Sequence, residues 1–251
     1  MLSRVLTRKL ASSTTPLPSR VQALAAPVAT RRLVSTPATS LARPRLEEIV
    51  LVRHGESEGN VAYNRSVDGD HSLYAGAFMD RHSSLWRLTD RGREQAMAAG
   101  RWMNENLAPG FEGCYTSEYL RAMETAALLE LPGAQWLPEV MLRERDWGEY
   151  DLASQEQRAS AYARYEKRRR RESLFWSPPG GESLAQVVQR VDSMLLFLNR
   201  RYSGQRVVAV CHGEMMWAFR LRFERCAKGV PTRRVPTPEC VCVCVCVCVR
   251  A

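Results

Sequence analysis

The 251-residue chain has no apolar run approaching the ~20 residues that span a bilayer, no acid in its first 45 residues, and no His/Cys cluster at metal-ligand spacing. The first absence argues against a membrane-spanning helix, so a soluble protein with no membrane partner is expected. The second decides what the net charge of +9 means. Residues 1–45 hold Arg4, Arg8, Lys9, Arg20, Arg31, Arg32, Arg43 and Arg45, which is +8 of that total, so the rest carries about +1. The basic balance belongs to the leader, and nucleic acid is not an expected partner. A disulfide scaffold is missing too. Of eight cysteines, five fall in "CVCVCVCVCV" at 240–249, and Cys114, Cys211 and Cys226 are scattered.

The Ser/Thr/Ala/Pro-rich, Arg-bearing leader has the composition of an organelle transit peptide over 1–45, with cleavage near "TRRLVSTP". Early, dense Arg favours the mitochondrion over a plastid or the cytoplasm. A tail with no address is the plainer alternative. At the other end, residues 231–251 are low in complexity. Strict alternation is the pattern of an edge strand with its thiols on one face, and it spreads possible soft-metal ligands rather than converging them. Cys (TGT) followed by Val (GTG) is also what a TG repeat encodes. The tail is therefore expected to carry no function, and removal of 240–251 to leave activity intact.

Between these ends, 46–230 is expected to be one domain. "EEIVLVRH" is an apolar run of parallel-strand type. A polar loop follows, then a helix over 88–107 capped by Thr89, with Ala96, Ala99, Trp102 and Met103 as its apolar stripe. "GCYTS" (113–117) is a strand, "EYLRAMETAALLEL" a helix stopped by Pro132 and Gly133, and "AQWLP" a short third strand. Residues 153–172 are polar and helical, and "SPPGGES" precedes an amphipathic helix from Ser183 to about Asn199. "RVVAVCHGE" is the next strand, with a helix after it. This alternation predicts an α/β three-layer sandwich: a mostly parallel sheet with helices on both faces and a small helical insertion over the site.

In such sheets ligands sit at the carboxyl ends of strands. "RHG" (53–55) and "CHG" (211–213) both fall there, each with a glycine expected to let the chain turn sharply. A histidine at one strand end is ordinarily a satisfied polar residue. Two at matching ends point to a site.

Six pieces, in order, resemble the histidine phosphatase superfamily, phosphoglycerate mutase-like branch: "LVRHGESEGN" (51–60), "LTDRGREQA" (88–96), "TSEYLRAMETA" (116–126), "LRERDWGEY" (142–150), "PGGESLAQVVQRV" (179–191) and "VVAVCHGE" (207–214). The resemblance implies His54 as the nucleophile that takes a phosphoryl group and Glu144 as general acid and base. His212, Arg53 and Arg121 would form the phosphate pocket, with Asn60 and Ser57 as further contacts. The residue types suit that chemistry. Guanidinium forks match phosphate oxygens, and a neutral imidazole is a nucleophile near pH 7. With two arginines and a second histidine supplying charge, no cofactor and no metal are implied. Arg121 could instead pair with Glu124 on its own helix, and Glu144 could be a surface carboxylate. His71 and His82 are expected to be solvated, and "GESL" (181–184) to be a turn and helix cap, with Glu182 and Ser183 reaching the pocket as the alternative. "YEKRRRRES" (165–173) is ordinarily a solvated helix face, although it could attract an anionic substrate.

Genuine mutases of this family carry a Trp two residues before the Asn and a Phe-x-Gly-Trp segment before the next helix. Here Glu58 and Gly59 precede Asn60, and the loop from Val61 to Arg87 lacks that segment. A phosphatase acting on a phosphorylated small molecule or phosphoprotein is thus the leading expectation, ahead of a mutase or a non-catalytic scaffold. The specific substrate and the oligomeric state are open at this point.

Overall fold

In a computed structural model of the protein, the described residues are 45–107, 110–223 and 245–249, and residues 43–251 group as one compact unit. The expected leader, apart from Arg45, and Cys226 lie outside the described residues.

Strand β1 (Glu48–Arg53) and strand β4 (Arg206–Cys211) form the centre of the sheet, paired in parallel from Glu48↔Arg206 to Arg53↔Cys211. Both are buried on both faces, which is why they read as continuous apolar runs. Strand β2 (Gly113–Thr116) pairs parallel with β4, and strand β3 (Trp136–Pro138) parallel with β2. Strand β5 (Val245–Val249), from the Cys-Val repeat, runs antiparallel along β1, and the order is β3-β2-β4-β1-β5. The repeat thus supplies an edge strand, while 231–244 lie outside the described residues. Removing 240–251 should bare the free edge of β1, so a lower melting temperature is expected with turnover retained.

Two cores flank the sheet. Ile49, Leu51, Val207 and Ala209 pack with Val187, Val191, Met194, Leu198 and Met215 of helices α6 (Leu184–Arg201) and α7 (Gly213–Phe223). Val50, Val52, Val208 and Val210 face the other way, onto Met103, Ala122 and Ala126 of helices α2 (Asp90–Asn106) and α3 (Leu120–Leu128). This is the expected α/β three-layer arrangement.

Local chemistry sets the helix ends. Thr89 caps α2 by accepting from Gly92 N, and Ser183 forms a capping box with Gln186 at α6. The α2 stripe differs from expectation: Trp102 is exposed, and Gly92, Ala96, Gly100 and Met103 are the buried face. A small residue is needed at Gly100, where a Cβ would sit 2.2 Å from Leu129 O at the end of α3. The 153–172 stretch is two helices, α4 (Gln155–Ser160) and α5 (Ala163–Glu172).

The polar loop expected after β1 is a helix, α1 (Glu58–Val67), followed by 3-10 turns at Gly76–Phe78 and Ser83–Leu85. Only Ala62 and Ser66 of α1 are buried, so it carries no apolar stripe. Its signal is the capping box of Ser57 and Asn60.

Neither glycine of the two His-Gly pairs has positive φ, and at Gly55 a close approach is the reason instead. A Cβ at Gly55 would lie 2.2 Å from Gly92 O, and one at Gly92 would lie 2.0 Å from Glu56 O. The chain leaving β1 is pressed backbone to backbone against the first turn of α2. Gly92→Ala is therefore expected to destabilise by about 1–3 kcal/mol, as overpacking does, read as a shift in thermal or denaturant unfolding.

Candidate active site

His54 leaves the end of β1 with its backbone N–H bonded to Cys211 O at 3.1 Å, so it stands beside the end of β4, where His212 follows. The two rings are 5.0 Å apart between centroids, and both residues are buried. His54 Nδ1 lies 2.7 Å from Gly55 O, and a carbonyl can only accept, so Nδ1 carries the proton. Nε2 then bears the lone pair, which accepts from Arg121 Nε at 3.2 Å. Burial, with Arg121 and Arg53 nearby, lowers the His54 pKa well below its ordinary 6.5, so the ring is neutral at pH 7. Burial and the same cations lower His212 likewise.

His212 Nε2 is 2.8 Å from Ser117 Oγ, at the end of β2, and its buried Nδ1 has no partner. Arg121 comes from the first turn of α3. Its Nη1 donates to Ser83 O at 2.7 Å, and its guanidinium lies 4.8 Å from the centre of the Tyr119 ring. Thr125 ties this helix to the loop after β1, accepting from Gly55 N (3.1 Å) and donating to Arg121 O (2.7 Å). The possible Arg121–Glu124 pair is not formed, because Glu124 holds Arg87 and accepts from Leu88 N at 2.8 Å. Arg53 Nε is buried without an acceptor, and a Cβ at position 213 would come within 3.8 Å of it. Among the described residues, neither Arg53 nor Arg121 pairs with a carboxylate within 4 Å. Two guanidinium groups near two neutral imidazoles, with no carboxylate bonded to them among the described residues, form a receptor for an anion.

Glu144 is only partly accessible. Desolvation first, then the Glu214 carboxylate, push its carboxyl up from 4.5 to about 7, against the pull of Arg121 and Arg53. It is therefore close to half-protonated at neutral pH, as an acid that must also serve as a base requires.

Residues 49–246 match the family model described as histidine phosphatase superfamily, branch 1. The chain belongs to this superfamily.

Its similar curated relatives are 2,3-bisphosphoglycerate-dependent phosphoglycerate mutases. That of Methylobacterium radiotolerans is 34% identical over 68% of this chain and 76% of its own. That of Methylobacterium sp. 4-46 is 33% identical over 75% of this chain and 84% of its own. Among solved structures, a mycobacterial glucosyl-3-phosphoglycerate phosphatase in complex with VO3 is 25% identical with a TM-score of 0.56, over 71% of this chain and 82% of its own. An Escherichia coli structure described as a putative α-ribazole-5'-phosphate phosphatase, 22% identical, shares the fold with a TM-score of 0.56 over 71% and 80%.

This histidine phosphatase member holds Glu144 from behind. Arg190 of α6 donates to the carbonyls of Met141 (2.9 Å), Arg143 (3.0 Å) and Glu144 (3.3 Å), and pairs with Glu182 at 2.8 Å. Arg145 donates its N–H to Glu144 Oε1 at 2.9 Å, and its buried guanidinium bonds Glu182 O (2.8 Å), Trp176 O (3.0 Å) and Glu214 (3.3 Å). Ser183 is the helix cap that "GESL" suggested, and Glu182 is a brace that it did not. Asn60 Oδ1 accepts from both Ser57 N and Ser57 Oγ at 3.1 Å, so these two candidate phosphate contacts are bound to each other at the start of α1. His71 is not simply solvated: it bonds Ser66 Oγ at 2.9 Å and approaches Glu156 at 3.6 Å. His82 caps the Ser83–Leu85 turn.

Ser83, Ser117, Tyr119, Asp151, Arg145 and Glu214 escaped the sequence reading. Ser117, Tyr119 and Arg145 sit inside matched motifs, but their partners are reached only through the tertiary fold. Ser83 links two parts of the site, since its Oγ donates to Asp151 at 2.7 Å while its carbonyl holds Arg121. Glu214 had a local signal, being a carboxylate two residues after a site histidine.

Proposed function

We propose that this chain is a phosphomonoesterase that passes the phosphoryl group of a small phosphorylated substrate to His54 Nε2 and then to water. The observation that carries the reading is the His54 ring, whose proton is fixed on Nδ1 by Gly55 O while its unprotonated Nε2 accepts from Arg121, with Arg53 also near the ring. Arg53 and Arg121 bind the equatorial oxygens and meet the charge that develops on them. His212, with the Ser117 hydroxyl donating to Nε2, keeps a proton on Nδ1 and gives it as a hydrogen bond to the same group. Asn60, oriented by Ser57, adds its amide N–H. Glu144 protonates the leaving oxygen and, once ionised, takes a proton from the attacking water. Because arginines and imidazole supply the charge, the steps call for no metal and no organic cofactor.

Hydrolysis rather than mutation is supported at position 58, where mutases of the family carry Trp. Glu58 accepts from Arg87 N at 3.0 Å and pairs with Arg81 at 3.3 Å, so it is committed to tying down the loop over the pocket. The second reading, a mutase, is supported by the names of the curated relatives. Both readings share the phosphoglycerate unit, which also appears in the name of the mycobacterial phosphatase.

The test is release of inorganic phosphate from 3-phosphoglycerate and an aryl phosphate, beside conversion of 3- to 2-phosphoglycerate primed with 2,3-bisphosphoglycerate. Phosphate release from either, with no primed conversion, is expected. Primed conversion without phosphate release would establish the mutase instead. The acid-free basic leader supports mitochondrial delivery as part of this proposal, to be read from the location of a C-terminal fluorescent fusion.

A further inference from the structure

The Arg-rich run on α5 divides by partner. Arg168 pairs with Glu172 at 2.8 Å, while Arg169 approaches Glu166 at 3.7 Å and lies over the Trp147 and Trp176 rings. Lys167 and Arg170, one turn apart, have no carboxylate within 4 Å among the described residues. Both line a cleft of about 410 Å³ between α4 and α5, with Arg158 as the third cation. Arg158 also forms no ion pair with a carboxylate among the described residues. Its Nη2 donates to Tyr150 O, its guanidinium stacks on Tyr63 and Tyr150, and its Nε is buried with no acceptor. Gln155 adds a polar group. The one acid in the lining, Glu166, reaches towards the Tyr150 hydroxyl, and its Oε2 faces Arg169. Three cations against one shared carboxylate leave the lining positive. The volume suits a small molecule rather than a macromolecular surface. Two arginines beside a lysine match an oxyanion with several acceptors, which phosphate provides.

We propose that the α4–α5 cleft is a second anion site, which takes a phosphate group of a phosphorylated small molecule and is separate from the pocket at His54. Its wall connects to that pocket. Tyr150, whose carbonyl receives Arg158, is followed by Asp151, which accepts from Ser83 Oγ at 2.7 Å. The Ser83 carbonyl in turn seats Arg121 at 2.7 Å. An anion that draws Arg158 away from Tyr150 therefore acts on the segment that positions Arg121. The same phosphate chemistry could be the far end of a doubly phosphorylated substrate or a separate effector.

Titration calorimetry with inorganic pyrophosphate separates these possibilities. The full-length Arg121→Ala chain, or the wild-type chain with its His54 pocket filled by orthovanadate, is expected to bind one pyrophosphate. Adding Lys167→Gln and Arg170→Gln should weaken that binding about tenfold or more, as loss of one or two charge-assisted contacts does, while Lys167→Arg retains it. Gln keeps α5 helical, which circular dichroism checks. A separate effector is indicated if pyrophosphate changes aryl phosphate turnover in the wild type but not in the double variant. A substrate end is indicated if the double variant raises KM about tenfold for a bisphosphate and leaves the aryl monophosphate KM unchanged. Pyrophosphate binding that is equal with and without the Lys167 and Arg170 side chains, or absent once the His54 pocket is silenced, overturns the proposal. Because binding is read without turnover, either result stands whether or not His54 is a nucleophile.

Discussion

Replacing His54 with Ala should reduce turnover of any phosphomonoester by about 10⁴-fold or more, with the fold and phosphate affinity largely kept. The effect is this large because Nε2 is the only atom the proposed mechanism offers as an acceptor for phosphorus, so nothing else in the pocket substitutes for it. Arg53, Arg121 and His212 would remain, and electrostatic stabilisation alone leaves a residual rate above that of water. A structural role for the ring would show differently. His54 is buried against His212 and receives Arg121, so a merely structural histidine would lower the melting temperature while leaving a good part of kcat.

Replacing Glu144 with Gln should cost about 10²–10⁴-fold with an alkyl phosphate, the usual worth of a placed general acid–base group. A nitrophenyl phosphate should separate its two duties. That leaving oxygen needs no proton, so the first transfer survives, while water attack on the phosphorylated enzyme slows. Rapid mixing is expected to show a burst of nitrophenolate followed by slow release. The pH dependence has a definite sign. With the free carboxyl titrating at about 7, kcat/KM of the wild type for an alkyl phosphate falls as pH rises through 7, and this fall is absent in Glu144→Gln. His54, lowered well below 6.5, stays unprotonated on the acid side of that range. Stability falls over the same pH range. A carboxyl raised from 4.5 to about 7 in the folded chain stabilises fully below 4.5, and this contribution is lost as pH rises through 7. Glu144→Gln should therefore unfold at a higher temperature than the wild type at pH 8, and with little difference at pH 4. A surface carboxylate would show neither signature.

Strands buried on both faces, such as β1 and β4, announce themselves as unbroken runs, and Thr89 and Ser183 mark helix starts through backbone hydrogen bonds only a few residues away. Features of that range were legible. Helix α1 was not, because it rests on a polar surface and buries only Ala62 and Ser66. Trp102 shows the opposite error: hydrophobicity placed it inward, but the buried face of α2 is Gly92, Ala96, Gly100 and Met103, and Trp102 is exposed. Gly55 was recognised for the wrong reason, since its partner is Gly92 in another element. His54, Arg53, Arg121, His212 and Glu144 were found by motif, and the fold gathers His54, Arg121 and His212 at adjoining strand and helix ends. What periodicity could not supply was the brace of Arg145, Arg190 and Glu182 behind Glu144, or the Ser83 link from Arg121 to Asp151. Those contacts join residues about 35 or more positions apart, or depend on which way a loop turns.

The central claim is that the phosphoryl group rests on His54. The measurement is rapid acid-free denaturation of the full-length chain during turnover of a ³²P-labelled phosphomonoester, followed by peptide mapping under alkaline conditions. The expected result is one acid-labile, base-stable label on the peptide that contains His54, accumulating further in Glu144→Gln when the ester is nitrophenyl phosphate and absent in His54→Ala. Turnover without that label, or a label that persists in His54→Ala, would contradict it.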